Sequence, residues 1–232
     1  MRQRLLRSAR DLAAAFKNSV VSDRPRSLRV RWGPARGGIL QNSYRYGSRK
    51  ILGIYEGALA PYFRRYVRSG DHCYDIGAAD GYWALACARL AAPGHVYCFD
   101  MDEHFAQPLR EMADRNVHLG SAMSVHSLRV GAAQVGETQV SLDGLVYGDA
   151  WPPANVIKVD VEGDEVQVLR GAERLLREHR PRLIIEVHSL SLETECQALL
   201  HGLGYTTTVV ENSALADESA FRVGFNRWLC AE

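Results

Sequence analysis

The chain has 232 residues, 47% of them hydrophobic and 24% charged, with a formal net charge of +1. That length suits one α/β domain with an appendage and leaves room for a sizeable core. No apolar run approaches the ~20 residues a membrane-spanning helix needs, and residues 1–17 lack the continuous apolar centre and cleavage site of a signal peptide.

Charge is unevenly spread. Residues 1–50 hold thirteen Lys/Arg against Asp11 and Asp23, a balance of +11, and the remainder carries −10. Two readings stay open. One is contact with an anionic partner: a membrane surface, a nucleic acid, or a sugar-phosphate or nucleotide-linked substrate. The other is a solvated basic helix packed on its own acidic core domain. The five cysteines are odd in number and contain no C-x-x-C pair, so they read as free thiols in a reducing cytoplasm, with no structural metal.

In chain order, residues 1–20 predict an amphipathic helix with Leu5, Leu6, Leu12, Ala13 and Phe16 on one face. Residues 29–32 and 39–44 flank Gly33-Pro34-Ala35-Arg36-Gly37-Gly38, a loop suited to a β-hairpin. A helix is expected over 51–68. Its stripe of Tyr55, Leu59, Tyr62, Phe63 and Tyr66 reads as core rather than as a sugar-stacking platform. From residue 72 onward, strands are expected near 72–76, 95–99, 123–128, 155–161, 182–188, 205–210 and 223–230. Helices are expected near 80–91, 103–116, 164–178 and 191–203. Such alternation predicts a mostly parallel twisted sheet with helices on both faces. The last two strands lack an intervening helix and should form an antiparallel hairpin at the sheet edge. The division expected is a basic extension over 1–50, made of helix and hairpin, and a main domain over 51–232.

The run Tyr74-Asp75-Ile76-Gly77-Ala78-Ala79-Asp80-Gly81-Tyr82 joins the first main-domain strand to a helix. Small residues at a strand-to-helix turn let a ligand approach the backbone beside the positive end of the helix. About nineteen residues past Gly81, the next strand ends in Asp100, placed to accept hydrogen bonds from both hydroxyls of an adenosine ribose. A nicotinamide fingerprint is excluded because its later glycine positions hold Ala79 and the bulky Tyr82. No G-x-x-x-x-G-K-[ST] loop for a triphosphate is present. The D-I-G-x-x-x-G form resembles the first motif of S-adenosylmethionine-dependent methyltransferases, whose cationic, phosphate-free ligand suits a carboxylate.

A second cluster is Asn155-Val156-Ile157-Lys158-Val159-Asp160-Val161-Glu162-Gly163-Asp164-Glu165. Alternation aims Lys158, Asp160 and Glu162 at one face of a largely buried strand. Charges there are costly unless paired or used at a cleft, and a purely structural ion pair of Lys158 with a carboxylate is the plain alternative. Asp160 and Glu162 offer two ligands for a divalent cation but no third, so no metal is assigned.

Residues 157–165, then Val168-Leu169-Arg170-Gly171-Ala172, Pro181 and Ile184-Ile185-Glu186-Val187-His188, resemble the hallmark of FkbM-type methyltransferases. The glycine turn, Phe99-Asp100-Met101-Asp102, Asn116-Val117, Ser141-Leu142-Asp143 and the upstream Gly53-Ile54-Tyr55-Glu56 match that family's pattern in order, over about residues 50–230. The family commonly has Asn where this chain has Ala79 or Asp80, and Glu-Pro where it has Asp100-Met101.

The resemblance implies a Rossmann-like class I methyltransferase fold and methyl transfer from S-adenosylmethionine to a hydroxyl oxygen. The implied acceptor is a small polar molecule such as a sugar or a natural-product or glycoconjugate precursor. Asp75 and Gly77 are expected to frame the amino-acid end of the cofactor, with Ala78, Asp80, Gly81 and Tyr82 forming the loop beneath it. Asp100 takes the ribose and Met101 lies against adenine. Asp143 is a further cofactor candidate, with a turn or cap as its alternative. Lys158, Asp160, Glu162, Glu186 and His188 are the acid/base candidates, since strand tips of a parallel sheet converge at one edge. A histidine satisfying loop backbone is the alternative for His188. Two other functions compete: a methyltransferase-like scaffold that has lost catalysis, and nucleic-acid methylation guided by the basic arm. The latter lacks the Asn/Asp-Pro-Pro-aromatic motif of amino-nitrogen methylation.

Overall fold

The computed structural model describes residues 23–211 and 227–232. The helix expected over 1–20 and the start of the strand expected near 223 lie outside them. Seven strands form the main sheet, starting with β3 (His72–Ile76), β4 (His95–Phe99), β5 (Ala122–His126) and β8 (Val156–Val159). The others are β9 (Arg182–Val187), β10 (Thr207–Glu211) and β11 (Arg227–Ala231). Their spatial order is β10-β11-β9-β8-β3-β4-β5. Pairings β4–β5, β3–β4, β3–β8 and β8–β9 are parallel, while β11 runs antiparallel to both neighbours. The expected terminal hairpin is present, with β11 inserted beside β9 and β10 left at the edge.

The parallel strands read as continuous apolar runs because both faces of the sheet are covered. One face packs Cys73, Val96, Cys98, Val156 and Ile184 against α3 (Tyr82–Leu90) and α2 (Ala60–Tyr66). The stacked rings of Phe63 and Trp83, 4.0 Å apart, lie at its centre. The other packs Tyr74, Ile76, Ile157, Val159, Leu183 and Ile185 against α5 (Glu165–Arg170), α6 (Glu173–His179) and α7 (Leu190–Gly202).

Two expected helices are broken, each by a close backbone approach. In place of one helix over 51–68, α1 (Tyr44–Leu52) ends at Gly53, and α2 begins only after a 3₁₀ turn at Gly57–Leu59. Gly53 sits at φ +72, where a Cβ would meet the Trp32 carbonyl at 1.9 Å. Its left-handed conformation stops α1. The helix expected over 164–178 divides into α5 and α6 at Gly171, whose Cβ would lie 2.0 Å from the Gly131 carbonyl.

Nearer the N-terminus, β1 (Arg26–Arg29) pairs with β2 (Ile39–Asn42), a register starting three residues before the one expected. Fully buried Asn116 pins this hairpin to the end of α4 (Glu103–Arg115). Its side chain takes the Ile39 N–H at 2.7 Å and donates to the carbonyls of Ile39 and Met112. Strands β6 (Arg129–Val130) and β7 (Gln139–Val140) form a small separate parallel pair. All five cysteines are free and buried.

Candidate active site

The turn after β3 is built by two approaches that exclude side chains. Gly77 has φ +77, and a Cβ there would lie 1.8 Å from the Asp160 carbonyl oxygen. The tips of β3 and β8 therefore touch backbone to backbone. Gly77 N and Ala78 N both donate to the Phe99 carbonyl, and Ala79 N donates to Asp100 Oδ2 at 2.8 Å. Asp100 Oδ1 accepts from Asp102 N at 2.9 Å. This half-buried carboxylate holds the glycine turn and keeps lone pairs for further donors. Met101, next in sequence, is exposed and lines a cleft with Glu103, Ser127 and Arg129 at the tips of β4 and β5.

Other residues of the turn face elsewhere. A Cβ at Gly81 would meet Met112 Cε at 2.3 Å, so this glycine seats α3 against α4. Asp80 accepts from Tyr82 N and pairs with Lys50 at 2.6 Å, tying the turn to α1. Ala78 and the Tyr82 ring are buried, and Tyr82 packs edge-on against Tyr55 and Trp83. Asp143 lies apart from these groups. Its two oxygens accept from Arg174 N and Leu175 N at 2.9 and 2.8 Å, capping α6.

Strand register places Asp75 beside Lys158, and alternation carries Asp160, Glu186 and His188 onto the same sheet face at the tips of β8 and β9. The Lys158 ammonium is 5% exposed. It lies 3.2 Å from Asp160 Oδ2, 3.5 Å from Asp75 Oδ1 and 3.5 Å from the Gly77 carbonyl. Burial alone would lower its pKa, but Asp160, Asp75 and Glu56 outweigh burial and raise it, so the lysine is charged. Asp75 is 1% exposed, and among the described residues neither of its oxygens has a hydrogen bond. Burial pushes it up to about 6 against the pull of Lys158. Sealed in this way, Asp75 acts on the site through Lys158.

On the outer side of Lys158, Glu186 is nine-tenths buried. Its Oε2 accepts from the Trp228 indole at 3.2 Å, and burial followed by the Asp160 charge pushes its pKa up to about 7. His188 Nδ1 lies 2.6 Å from Oε1 of fully buried Glu165, and that bond raises the imidazole pKa. Nε2 then points toward Asp160 Oδ1, Glu162 Oε2 and Glu186 Oε1 at 3.8, 3.9 and 3.9 Å. Strand β8 ends at Val159, so Glu162 lies beyond it and stands exposed at the rim.

Two members of the cluster were not among the sequence candidates. Glu56 is buried at φ 43 and accepts from the Trp83 indole at 2.7 Å; burial raises its pKa. Its signal was its place in the Gly53-Ile54-Tyr55-Glu56 block. Glu165 closed the 157–165 block of the resemblance with no site role read for it. Together Glu56, Asp75, Asp160, Glu165 and Glu186 face Lys158 and His188. The resulting surplus of carboxylates at the strand tips favours a cationic ligand.

A family model, the Methyltransferase FkbM domain, matches residues 119–207. Among solved structures, the chain is similar to methyltransferase FkbM from Methylobacillus flagellatus KT, with TM-score 0.59 and 18% identity. The match covers 74% of this chain, which spans 50% of that one. A SAM-dependent O-methyltransferase from Thermotoga maritima has TM-score 0.54 and 13% identity, covering 83% of this chain and 72% of its own. Aeropyrum pernix fibrillarin in complex with S-adenosyl-L-methionine has TM-score 0.51 and 14% identity, covering 72% and 68%. No curated protein matches the chain by sequence. The sheet order and these likenesses establish a Rossmann-like class I methyltransferase fold.

Proposed function

We propose that the chain, similar to FkbM methyltransferases over residues 119–207, transfers a methyl group from S-adenosylmethionine to a hydroxyl of a small polar acceptor, such as a sugar or a glycoconjugate precursor. The observation that carries this reading is the convergence of Asp100, the glycine turn and the Lys158–Asp160–Glu186–His188 ridge at one edge of the sheet. Open α/β sheets bind ligands at that edge.

The residues present fit the cofactor. Asp100, bonded to the glycine turn through Ala79 N, offers acceptors to ribose hydroxyls, and the cleft beside Met101 can take a flat base. The surplus of carboxylates complements an ammonium and a sulfonium. S-Adenosylmethionine supplies an electrophilic methyl group on a good leaving group. The protein must then align the acceptor and receive its proton. Lys158 holds Asp160 in place through its Oδ2 contact. Glu165 fixes the His188 ring, leaving Nε2 toward the crevice. The acceptor hydroxyl docks against Asp160, Glu186 and His188, and its proton is taken up within that group.

Asp160→Asn should lower methyl transfer by roughly 10²–10⁴-fold, the range for loss of a positioned proton-transfer group, while binding of S-adenosylhomocysteine stays near wild type. The assay is incubation with isotopically labelled cofactor and a metabolite extract, with labelled products identified by mass spectrometry. No labelled product from wild type, or equal product from Asp160→Asn, would defeat the reading. A product labelled on nitrogen would refute oxygen as the acceptor atom.

A further inference from the structure

We propose that Asp160, Glu186 and His188 form a binding site for one divalent first-row transition-metal cation. Their ligand atoms all lie within 4.8 Å of one another. With His188 Nε2 at 3.8 and 3.9 Å from Asp160 Oδ1 and Glu186 Oε1, a centre equidistant from the three lies no more than about 2.5 Å from each. A contraction of a few tenths of an ångström reaches metal–ligand bonding distances of roughly 2.0–2.2 Å.

Four further observations point to a ligand rather than to a packed acidic cluster. Among the described residues, buried His188 Nε2 has no hydrogen-bond partner, an expensive state for a ring nitrogen unless something occupies the space before it. Glu186, 5% exposed, spends Oε2 on Trp228 and holds Oε1 3.9 Å from His188 Nε2. Glu165 takes the Nδ1 side of the ring at 2.6 Å. A carboxylate that receives Nδ1–H and leaves Nε2 as the lone pair is the usual outer support of a metal-binding histidine. Asp160 is divided likewise, with Oδ2 on Lys158 and Oδ1 free for the centre.

Two carboxylates with one imidazole suit Mn²⁺, Fe²⁺ or Zn²⁺ better than the all-oxygen shell preferred by Mg²⁺ or Ca²⁺. Asp160, 30% exposed, is the member nearest solvent, so open coordination positions lie on its side. The ion's existence stands on this geometry alone. Its use rests on the proposed methyl transfer: with the ion in place, hydroxyl oxygens of the acceptor would bind at the open positions and be oriented there, and the proton that Asp160, Glu186 or His188 takes up in the metal-free site would leave instead to exposed Glu162 or to water.

The test is titration of chelator-treated full-length protein with Mn²⁺, followed by loss of the free-ion electron paramagnetic resonance signal. S-Adenosylhomocysteine binding is measured on the same sample. We expect one site per chain. Glu186→Gln and His188→Gln should weaken it by at least tenfold, and Glu165→Gln by roughly 10–100-fold, as for lost outer support of a metal ligand. Thermal unfolding of each variant establishes that it is folded. Absence of a site in wild type, or equal affinity in the folded variants, overturns the proposal. S-Adenosylhomocysteine binding without Mn²⁺ binding would sink the metal site and spare the methyltransferase reading. Mn²⁺ binding without S-adenosylhomocysteine binding would do the reverse.

Discussion

Gly77→Ala is expected to destabilise the fold by about 2–5 kcal/mol and to abolish cofactor binding. Two costs add. Alanine in the left-handed region costs roughly 1–2 kcal/mol, and forcing atoms into a filled space costs roughly 1–3 kcal/mol. Here the new Cβ would lie 1.8 Å from the Asp160 carbonyl oxygen, a backbone atom that cannot swing aside. The tips of β3 and β8 must therefore part, carrying Lys158 and Asp160 away from Asp75. Gly70→Ala separates the two costs, because Gly70 has φ +86 but nothing within 4 Å of its Cβ position. Denaturant unfolding should show only the backbone cost at Gly70, about 1–2 kcal/mol. Equal losses at both positions would mean that the strand-tip contact contributes nothing.

Lys158→Met is expected to cost about 3–5 kcal/mol at neutral pH, the range for removing one partner of a buried ion pair. Asp75 would be left with both oxygens unpartnered at 1% exposure, near Asp160 and Asp100. The pH dependence has a definite sign. Burial already holds Asp75 up at about 6 against an ordinary 3.8, and losing Lys158 raises it further. A carboxyl with a raised folded pKa favours the fold fully below pH 3.8, and that contribution is lost as pH rises through its folded value. The deficit of Lys158→Met should thus grow from pH 5 to pH 8, and Asp75→Asn combined with it should remove most of the growth. A deficit that shrinks over that interval would contradict a charged Lys158 neutralising Asp75.

Much of this arrangement was legible in the sequence because it follows from period-two alternation along strands. Asp75, Lys158, Asp160, Glu186 and His188 share a face because strand residues two apart do so, and adjacent parallel strands align them laterally. Asp100 marked the next strand tip. What stayed hidden depends on contacts between distant segments. Glu165 stood at the end of the 157–165 block with no site role read for it, and only the packing of α5 against β9 shows that it grips His188. Glu56 sat in a stretch read as continuous helix, and the approach of Gly53 to Trp32 that breaks it spans some twenty residues. Gly81 and Tyr82 belong to the same motif as Gly77 yet serve packing against α4 and Tyr55. Spacing alone does not tell a glycine that admits a neighbouring strand tip, as Gly77 does, from one that admits a neighbouring helix.

Calorimetric titration of the full-length protein with S-adenosylhomocysteine, wild type beside Asp100→Ala, bears most directly on a nucleoside site at this sheet edge. Saturable binding by wild type at one site per chain, weakened at least tenfold in a folded Asp100→Ala, is the outcome expected. Folded wild type that takes up no ligand, or a variant that binds as tightly as wild type, would contradict it.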